Sequence, residues 1–93
     1  MKPSPLSSAE VSSRLKSLPS WKLENGEIAR TYEFPDFRGS LAFVNKVGEL
    51  AEKAGHHPDI DIRYNKVRLA LVTHDAGGLT AKDFELAGQA DRA

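Results

Sequence analysis

The chain begins with a helical pattern of apolar residues between clear start and stop signals. Val11, Leu15 and Leu18 recur at helical spacing and form one apolar stripe. The segment Ser7 to Glu10 has the sequence of a capping box, in which the first and last residues each bind the other's backbone amide. Because Pro19 disfavours helical backbone in the residue before it, the pattern predicts a first helix that ends near residue 17.

A predicted hairpin and a long helix follow. Residues 21–23 alternate in polarity, and a second strand-like run extends from 28 to 34. The Asn25-Gly26 pair between these runs is the strongest short signal for a hairpin. Segment 36–54 carries apolar residues at the spacing of an amphipathic helix packed on a sheet, and Gly55 is placed to end it in the left-handed conformation.

A second hairpin and a last helix complete the pattern. Residues 60–64 alternate between apolar and charged side chains, a tight turn is predicted at 65–66, and a fourth strand is predicted over 67–74. Residues 80–83 repeat the capping-box pattern and predict a helix through about Ala90. The aromatic residues expected in the core are Trp21, Phe34, Phe37, Phe43 and Phe84.

The element order predicts the fold class. Two hairpins and three helices in the order α-β-β-α-β-β-α favour an α+β domain, a four-stranded antiparallel sheet with helices on one face. The 93 residues suit one domain over 1–93, with 1–6 as a flexible lead. A chain of this length buries only about 60–65% of its unfolded surface, so association into an oligomer is plausible before any motif is considered.

Composition narrows the classes of partner. Lys plus Arg and Asp plus Glu each number 13, whereas a nucleic-acid-binding domain usually has a basic excess. The absence of cysteine excludes disulfides and thiolate metal sites. No apolar run approaches the roughly 20 residues of a membrane span, and the N-terminal segment lacks the apolar core of a signal peptide. We therefore expect no direct nucleic-acid partner, no membrane partner and a cytoplasmic location.

The three histidines of the chain lie within 19 residues, at His56, His57 and His74. Histidine has an unperturbed pKa in the physiological range, so a cluster beside carboxylates has the parts for proton transfer. The predicted second hairpin places residues near 58 and 73 opposite each other, within about two residues. His74 is therefore expected beside the other two. A single histidine is most often a surface or satisfied polar group, but three brought together favour a functional site.

Two kinds of site are compatible with this cluster. Three imidazoles with Asp75 or Asp83 could ligate zinc, although adjacent histidines converge poorly on one ion. Acid/base catalysis fits better, because a neutral imidazole can accept a proton while a protonated one donates. Glu52 lies one helical turn before His56 and could orient an imidazole, or could be a solvated helix residue. Asp83 could cap the last helix, take part in the site, or do both.

The candidate site residues belong to a longer motif, Glu52-x3-His56-His57-Pro58-x5-Tyr64-x9-His74-x8-Asp83. The runs 64–67 and 73–80 extend it, and the likeness covers about 21–87. This pattern resembles the signature of the pterin-4a-carbinolamine dehydratases. It departs from the vertebrate-type members at Asp59-Ile60, since they carry an aromatic residue within two positions of the His-His-Pro run.

The resemblance implies an activity and a set of roles. The reaction is loss of water from a 4a-hydroxytetrahydrobiopterin-type pterin to give quinonoid dihydropterin, in tetrahydropterin recycling. The pterin supplies its own electron push, so no metal and no cofactor is required. The implied acid/base set is His56, His57 and His74. The implied supporting or substrate-binding residues are Glu52, Pro58, Thr73, Asp75 and Asp83.

The resemblance also implies assembly and leaves an alternative function open. Members of the family associate through sheet edges and helices, which implies a homodimer or homotetramer. Some members serve as a dimerisation cofactor of a transcription factor or as a Rubisco assembly factor. A partner-binding module without catalysis is therefore the alternative on the same fold.

Overall fold

The computed structural model describes residues 4–93 and has the predicted order of helices and strands. The four strands form one antiparallel sheet in the order β1-β2-β4-β3. This confirms the predicted α+β class. The elements are α1 (Ser8–Leu15), β1 (Lys22–Glu24), β2 (Glu27–Glu33), α2 (Phe37–Ala54), β3 (Asp59–Arg63), β4 (Lys66–Leu71), a 3-10 turn (His74–Ala76) and α3 (Ala81–Asp91).

Local hydrogen bonds set the helix ends. The Ser7 hydroxyl accepts the Glu10 amide at 3.2 Å, and the Glu10 carboxylate accepts the Ser7 amide at 3.0 Å, so the predicted capping box begins α1. Asp36 caps α2 by accepting the Gly39 amide at 3.0 Å. Gly55 has a φ of 62° and ends α2 in the left-handed conformation directly before the histidine pair.

The second hairpin turns one residue earlier than predicted. Positive φ falls on Tyr64, and Lys66 already belongs to β4, so the turn prediction at 65–66 was wrong by one position. Asn65 is held in the turn because its carbonyl and its side-chain amide both bind the backbone of Phe34, at 2.8 and 3.0 Å. A turn shifted by one residue shifts the pairing by two, so Asp59 lies opposite Ala70. Side chains keep their predicted faces because the shift is even.

The fourth strand is shorter than predicted, since it ends at Leu71 and not at His74. Thr73 instead forms an isolated bridge with Gly78, with backbone hydrogen bonds of 3.2 and 3.3 Å in the two directions. The residues between them form a 3-10 turn closed by Gly77, whose φ is 74°. The chain after β4 therefore forms a compact loop that carries His74 at one end of the sheet.

One face of the sheet packs on the helices. Its buried side chains include Ile28, Tyr32, Val67, Leu69 and Leu71, which meet Phe43, Val47 and Ala51 of α2 and Phe84, Leu86 and Ala87 of α3. Of the aromatic residues expected in the core, only Phe37 is largely exposed, at 46%. The buried stripe of α2 runs through Ser40, Val47 and Ala51, and Phe37 lies with Leu41 on the neighbouring stripe.

The N-terminal segment runs beside the loop that follows β4. Residues 1–3 of the predicted lead lie outside the described residues. Leu6 packs partly buried against the core and donates its amide to the Leu79 carbonyl at 2.7 Å. A Cβ on Gly78 would lie 3.0 Å from the Cβ of Pro5, so a larger residue at position 78 would push the N-terminal segment away by a few tenths of an ångström. From residue 4 onward, no helix has the length and apolar character needed to cross a bilayer.

Candidate active site

The three histidines border one cleft of about 280 Å³ at an end of the sheet. The cleft lies where α2 ends and where the chain leaves β4. Its lining comes from three segments, which are residues 55–57, residues 72–75 and Lys82 of α3. The shifted register still returns His74 to the histidine pair, because an error of two residues moves it along the strand but keeps it at this end of the sheet.

A fully buried carboxylate holds His56 in place. Nε2 of His56 lies 2.5 Å from Oδ1 of Asp83, and the two side chains are 11% and 0% exposed. The other oxygen of Asp83 accepts the Thr73 hydroxyl at 2.8 Å and the Thr80 amide at 2.9 Å. Asp83 is thus the third helical residue of the capping box that Thr80 begins, and it is also the partner of His56. Its burial is tolerated because three donors satisfy it.

The bonding around Asp83 assigns the hydrogen on His56. A carboxylate only accepts, so the Thr73 hydroxyl and the Nε2–H of His56 must both donate to it. The Thr80 hydroxyl, 2.7 Å from that of Thr73, then donates to the Thr73 oxygen. This pattern leaves Nδ1 of the neutral His56 ring without a hydrogen. Nδ1 accepts a proton when the ring is neutral and donates one when the ring is charged.

The second imidazole has a separate carboxylate partner that is open to solvent. Nε2 of His57 lies 2.5 Å from Oε2 of Glu52, and the two side chains are 60% and 76% exposed. Helical spacing suggested that Glu52 could orient an imidazole but did not identify which one. The left-handed turn at Gly55 directs His56 toward α3 and leaves His57 beside the last turn of α2. An exposed pair of this kind orients a ring but stabilises the fold little.

The remaining predicted site residues fall into two groups. His74 and Asp75 are exposed in the 3-10 turn and border the cleft, and buried Thr73 borders it while binding Asp83. Pro58 is half-buried and lies just beyond the residues that line the cleft. Tyr64 of the motif lies at the far end of the β3–β4 hairpin, where its carbonyl accepts the Ser40 hydroxyl at 2.6 Å.

Sequence reasoning missed one charged residue of the cleft. Lys82 lines it from the first turn of α3, next to Asp83. The sequence did contain a signal for Lys82, because this residue is adjacent to Asp83 and therefore lies at the same end of the helix. Within residues 4–93, no group of three or more His, Asp or Glu side chains is arranged to hold a metal ion. Fold and cleft together define a small α+β protein with a histidine–carboxylate site suited to proton transfer.

Comparison with known proteins identifies the family. The family model described as Pterin 4 alpha carbinolamine dehydratase matches residues 4–93. A protein of Acidobacterium capsulatum is 70% identical over 77 residues, which cover 83% of this chain and 84% of that protein. A protein of Chloroflexus aurantiacus is 62% identical over 86 residues, 92% of either chain. Both are named provisionally as pterin-4-alpha-carbinolamine dehydratases. The chain belongs to this family, as its motif indicated.

Two solved structures share the fold. The transcriptional coactivator/pterin dehydratase from Brucella melitensis superposes with a TM-score of 0.91 at 30% identity, over 95% of this chain and 96% of that one. A pterin dehydratase-like protein, identified as a RuBisCO assembly factor in the alpha-carboxysome, gives a TM-score of 0.68 at 24% identity. It covers 78% of this chain and 87% of its own, and at that identity the likeness concerns the fold alone.

Proposed function

We propose that this protein is a cytoplasmic hydro-lyase of tetrahydropterin recycling. Its substrate would be a 4a-hydroxytetrahydrobiopterin-type pterin and its product the quinonoid dihydropterin. The observation that carries the proposal is the convergence of all three histidines on one cleft, two of them bound to carboxylates. Membership of the dehydratase family supports the substrate class. The alternative is a partner-binding role on the same fold.

The reaction needs one proton to arrive and one to leave. The bond between C4a and the hydroxyl oxygen breaks, the oxygen takes a proton and leaves as water, and a base removes the proton of the ring N–H. The electron pair of that N–H bond forms the new double bond to C4a. The charges therefore balance with one acid and one base, and no metal or redox cofactor is needed for this step.

The environments of the imidazoles suggest a division of labour. His56 is nearly buried, presents Nδ1, and would be stabilised as an imidazolium by Asp83 after it takes the ring proton. This is the arrangement of a general base with a buried carboxylate partner. His57 and His74 are exposed, so either can be recharged by solvent and deliver a proton to the leaving oxygen. We assign His56 as the base and the exposed histidines as the acid side.

Stopped-flow dehydration of a 4a-hydroxytetrahydropterin tests the proposal. Loss of a general acid or base usually lowers the rate by a factor of about 10²–10⁴. The dehydration rate of His56→Ala should therefore decrease by a factor in that range. His57→Ala should lose most of the dehydration activity. Glu52→Gln should lower the rate severalfold by freeing the His57 ring. The matched control is Glu49→Gln, one turn earlier on the same helix and away from the cleft. Unchanged turnover in folded His57→Ala would remove the proposed role of His57.

The alternative function also has a specific observation behind it. Phe37 and Leu41 of α2 and Ile60 of β3 are exposed apolar residues, and β3 is an edge strand. The Brucella melitensis relative is described as both a coactivator and a pterin dehydratase. A purified, folded chain that shows no dehydration above the uncatalysed rate would favour a partner-binding role, because its three histidines are intact.

We propose that the same exposed residues support a homodimer or homotetramer. Burial of apolar side chains on association is favourable by about 25 cal/mol per Å², so a charge placed among them should weaken assembly. Leu41→Glu should shift the mass measured by light scattering toward the monomer. The matched control is Leu23→Glu, since Leu23 is equally apolar and exposed but lies on the opposite edge strand. A monomeric wild type, or an equal shift in both variants, would contradict this assembly surface.

A further inference from the structure

The N-terminal segment of the chain contacts the loop that leads from β4 into α3. The Leu6 amide donates to the Leu79 carbonyl at 2.7 Å, and Leu6 packs partly buried against the core. Gly78 lies against Pro5, because a Cβ on Gly78 would be 3.0 Å from the Pro5 Cβ. We call Pro5 and Leu6 together the N-terminal strap. The strap therefore touches the last two residues before the capping box of α3, and the proposed chemistry gives it no role.

A single peptide group connects the strap to the buried carboxylate. The carbonyl of Leu79 and the amide of Thr80 belong to the same peptide bond. Its carbonyl accepts the Leu6 amide, and its N–H donates to Oδ2 of Asp83 at 2.9 Å. A trans peptide group is planar, with its carbonyl and its N–H pointing in opposite directions, and residues 4–93 contain no cis peptide. The hydrogen bond from Leu6 therefore limits rotation of the donor on the other side of the group.

The second donor to Oδ2 of Asp83 also depends on a residue that the strap contacts. The Thr73 hydroxyl donates to this oxygen at 2.8 Å. The backbone of Thr73 is in turn paired with Gly78, at 3.2 and 3.3 Å in the two directions. Both of these donors are thus attached to residues 78–79. Because Oδ1 of the same carboxylate lies 2.5 Å from Nε2 of His56, a rotation of Asp83 turns that ring.

The strap is anchored at its C-terminal end, so it can hold this peptide group in place. The next residue, Ser7, begins α1, where the Glu10 carboxylate accepts the Ser7 amide at 3.0 Å. Leu79 is buried, and a hydrogen bond shielded from water is stronger than an exposed one. Hydrogen bonds in series also polarise one another, so donation from Leu6 strengthens the N–H that faces Asp83. The strap therefore joins the start of α1 to the start of α3.

We propose that the backbone amide of Leu6 is a positioning group of the active site. It orients the 79–80 peptide group, which orients Asp83 and, through Asp83, the ring of His56. The effect on rate rests on the proposed dehydratase function, whereas the coupling of the strap to Asp83 rests on geometry alone. The cleft is lined by residues 55–57, 72–75 and Lys82 and not by the strap, so turnover should be affected more than substrate binding.

Leu6→Pro tests the proposal, because proline has no backbone N–H to donate. Leu6→Ala keeps the amide and loses most of the side chain, so the difference between the two variants reports the hydrogen bond. Leu6→Pro should lower kcat for dehydration about tenfold more than Leu6→Ala does, with KM changed less than about twofold. The matched control is Leu15→Ala, which removes similar packing from α1 and should keep the wild-type kcat at 15 °C. Equal kcat for Leu6→Pro and Leu6→Ala would overturn the proposal.

Hydrogen exchange of the Thr80 amide measures the same coupling without turnover. In Leu6→Pro this amide should exchange about tenfold faster than in Leu6→Ala, and the amides of the β2–β4 ladder should accelerate less. If the wild type shows no dehydration but this local effect is present, the proposed function fails and the coupling stands. An equal Thr80 rate in the two variants, or a ladder that accelerates as much, refutes the coupling whatever the activity.

A second variant covers the case in which Leu6→Pro does not fold. Chemical synthesis can replace only the amide nitrogen of Leu6 by an ester oxygen, which removes the donor and keeps the side chain. The ester chain should show the same loss of kcat and the same faster exchange at Thr80, now relative to the wild type. Wild-type values for both measurements would refute the positioning role.

Discussion

Replacing Asp83 by asparagine isolates the charge of the buried carboxylate while keeping its size. Asp83 accepts from His56, Thr73 and the Thr80 amide, so all its neighbours are donors. Asparagine brings one oxygen and one NH₂ group. If the oxygen faces Thr73 and Thr80, the NH₂ faces the Nε2–H of His56, donor against donor. His56 must then accept at Nε2 and carry its hydrogen on Nδ1, which removes the proposed base.

These contacts determine how much stability and activity Asp83→Asn should lose. A hydrogen bond to a charged group contributes about 1.5–3 kcal/mol, and an unsatisfied buried donor costs about 1–3 kcal/mol. We expect Asp83→Asn to lower the free energy of unfolding by about 2–4 kcal/mol. At roughly 4–8 °C per kcal/mol for a domain of this size, Tm should fall by about 8–32 °C. Because the tautomer of His56 is reversed, dehydration should fall by about 10²–10⁴.

The assay combines stopped-flow dehydration at 15 °C, where circular dichroism can verify folding, with NMR of the histidine nitrogens. Wild type should carry the neutral-ring hydrogen of His56 on Nε2, and Asp83→Asn should carry it on Nδ1. Thr73→Val is the control, since it removes one donor to Asp83 and keeps the carboxylate beside His56. Thr73→Val should be less stable than the wild type, but its dehydration rate should decrease by less than about tenfold. Wild-type dehydration by folded Asp83→Asn would refute the positioning role and leave Asp83 as a helix cap only.

Three further predictions concern stability. Burial, and then the bond to Asp91, raise the pKa of Tyr32, so its stabilisation holds below the ordinary tyrosine pKa of about 10 and is lost as pH rises further. Urea unfolding should therefore show a steeper loss above pH 10 in wild type than in Tyr32→Phe, and parallel slopes would contradict this. The hydrogen bonds from Ser7 lower the pKa of Glu10, so Glu10→Gln should be less stable than wild type at pH 7, with the deficit vanishing as pH falls through the folded-state pKa. A deficit that persists unchanged in acid would count against this cap. Gly55→Ala places a Cβ at a φ of 62° and should cost about 1–2 kcal/mol in thermal unfolding, whereas a neutral effect would mean that α2 ends differently.

Elements with local signals could be predicted from the sequence, and those that depend on distant contacts could not. The cap at Ser7, the Asn25-Gly26 turn and Gly55 act within a few residues, so their elements were predicted correctly. The second turn was misplaced because Asn65 is held by Phe34, which lies 31 residues away, directly after β2. No periodicity in the segment itself encodes that bond.

The candidate site divides in the same way. Hairpin pairing is a regular geometry, so the approach of His74 to the other histidines could be anticipated within two residues. The partners of the imidazoles could not, because Asp83 reaches His56 through the packing of α3 against α2, across 27 residues of sequence. Helical spacing placed Glu52 near the histidine pair but could not identify His57 as its partner. Spacing along a helix does not describe a chain that leaves it through a left-handed residue.

The two histidine–carboxylate pairs differ in burial, and the proposed reaction uses that difference. Asp83 is fully buried with three donors, so the orientation of His56 is set before substrate arrives. The pair of His57 and Glu52 is open to water, so it can exchange protons between turnovers. Two buried pairs would slow the return of protons to solvent, and two exposed pairs would leave the base without a fixed direction. A 93-residue domain with one modest core can bury one such pair, and the first turn of α3 supplies its carboxylate because Asp83 also belongs to the capping box of that helix.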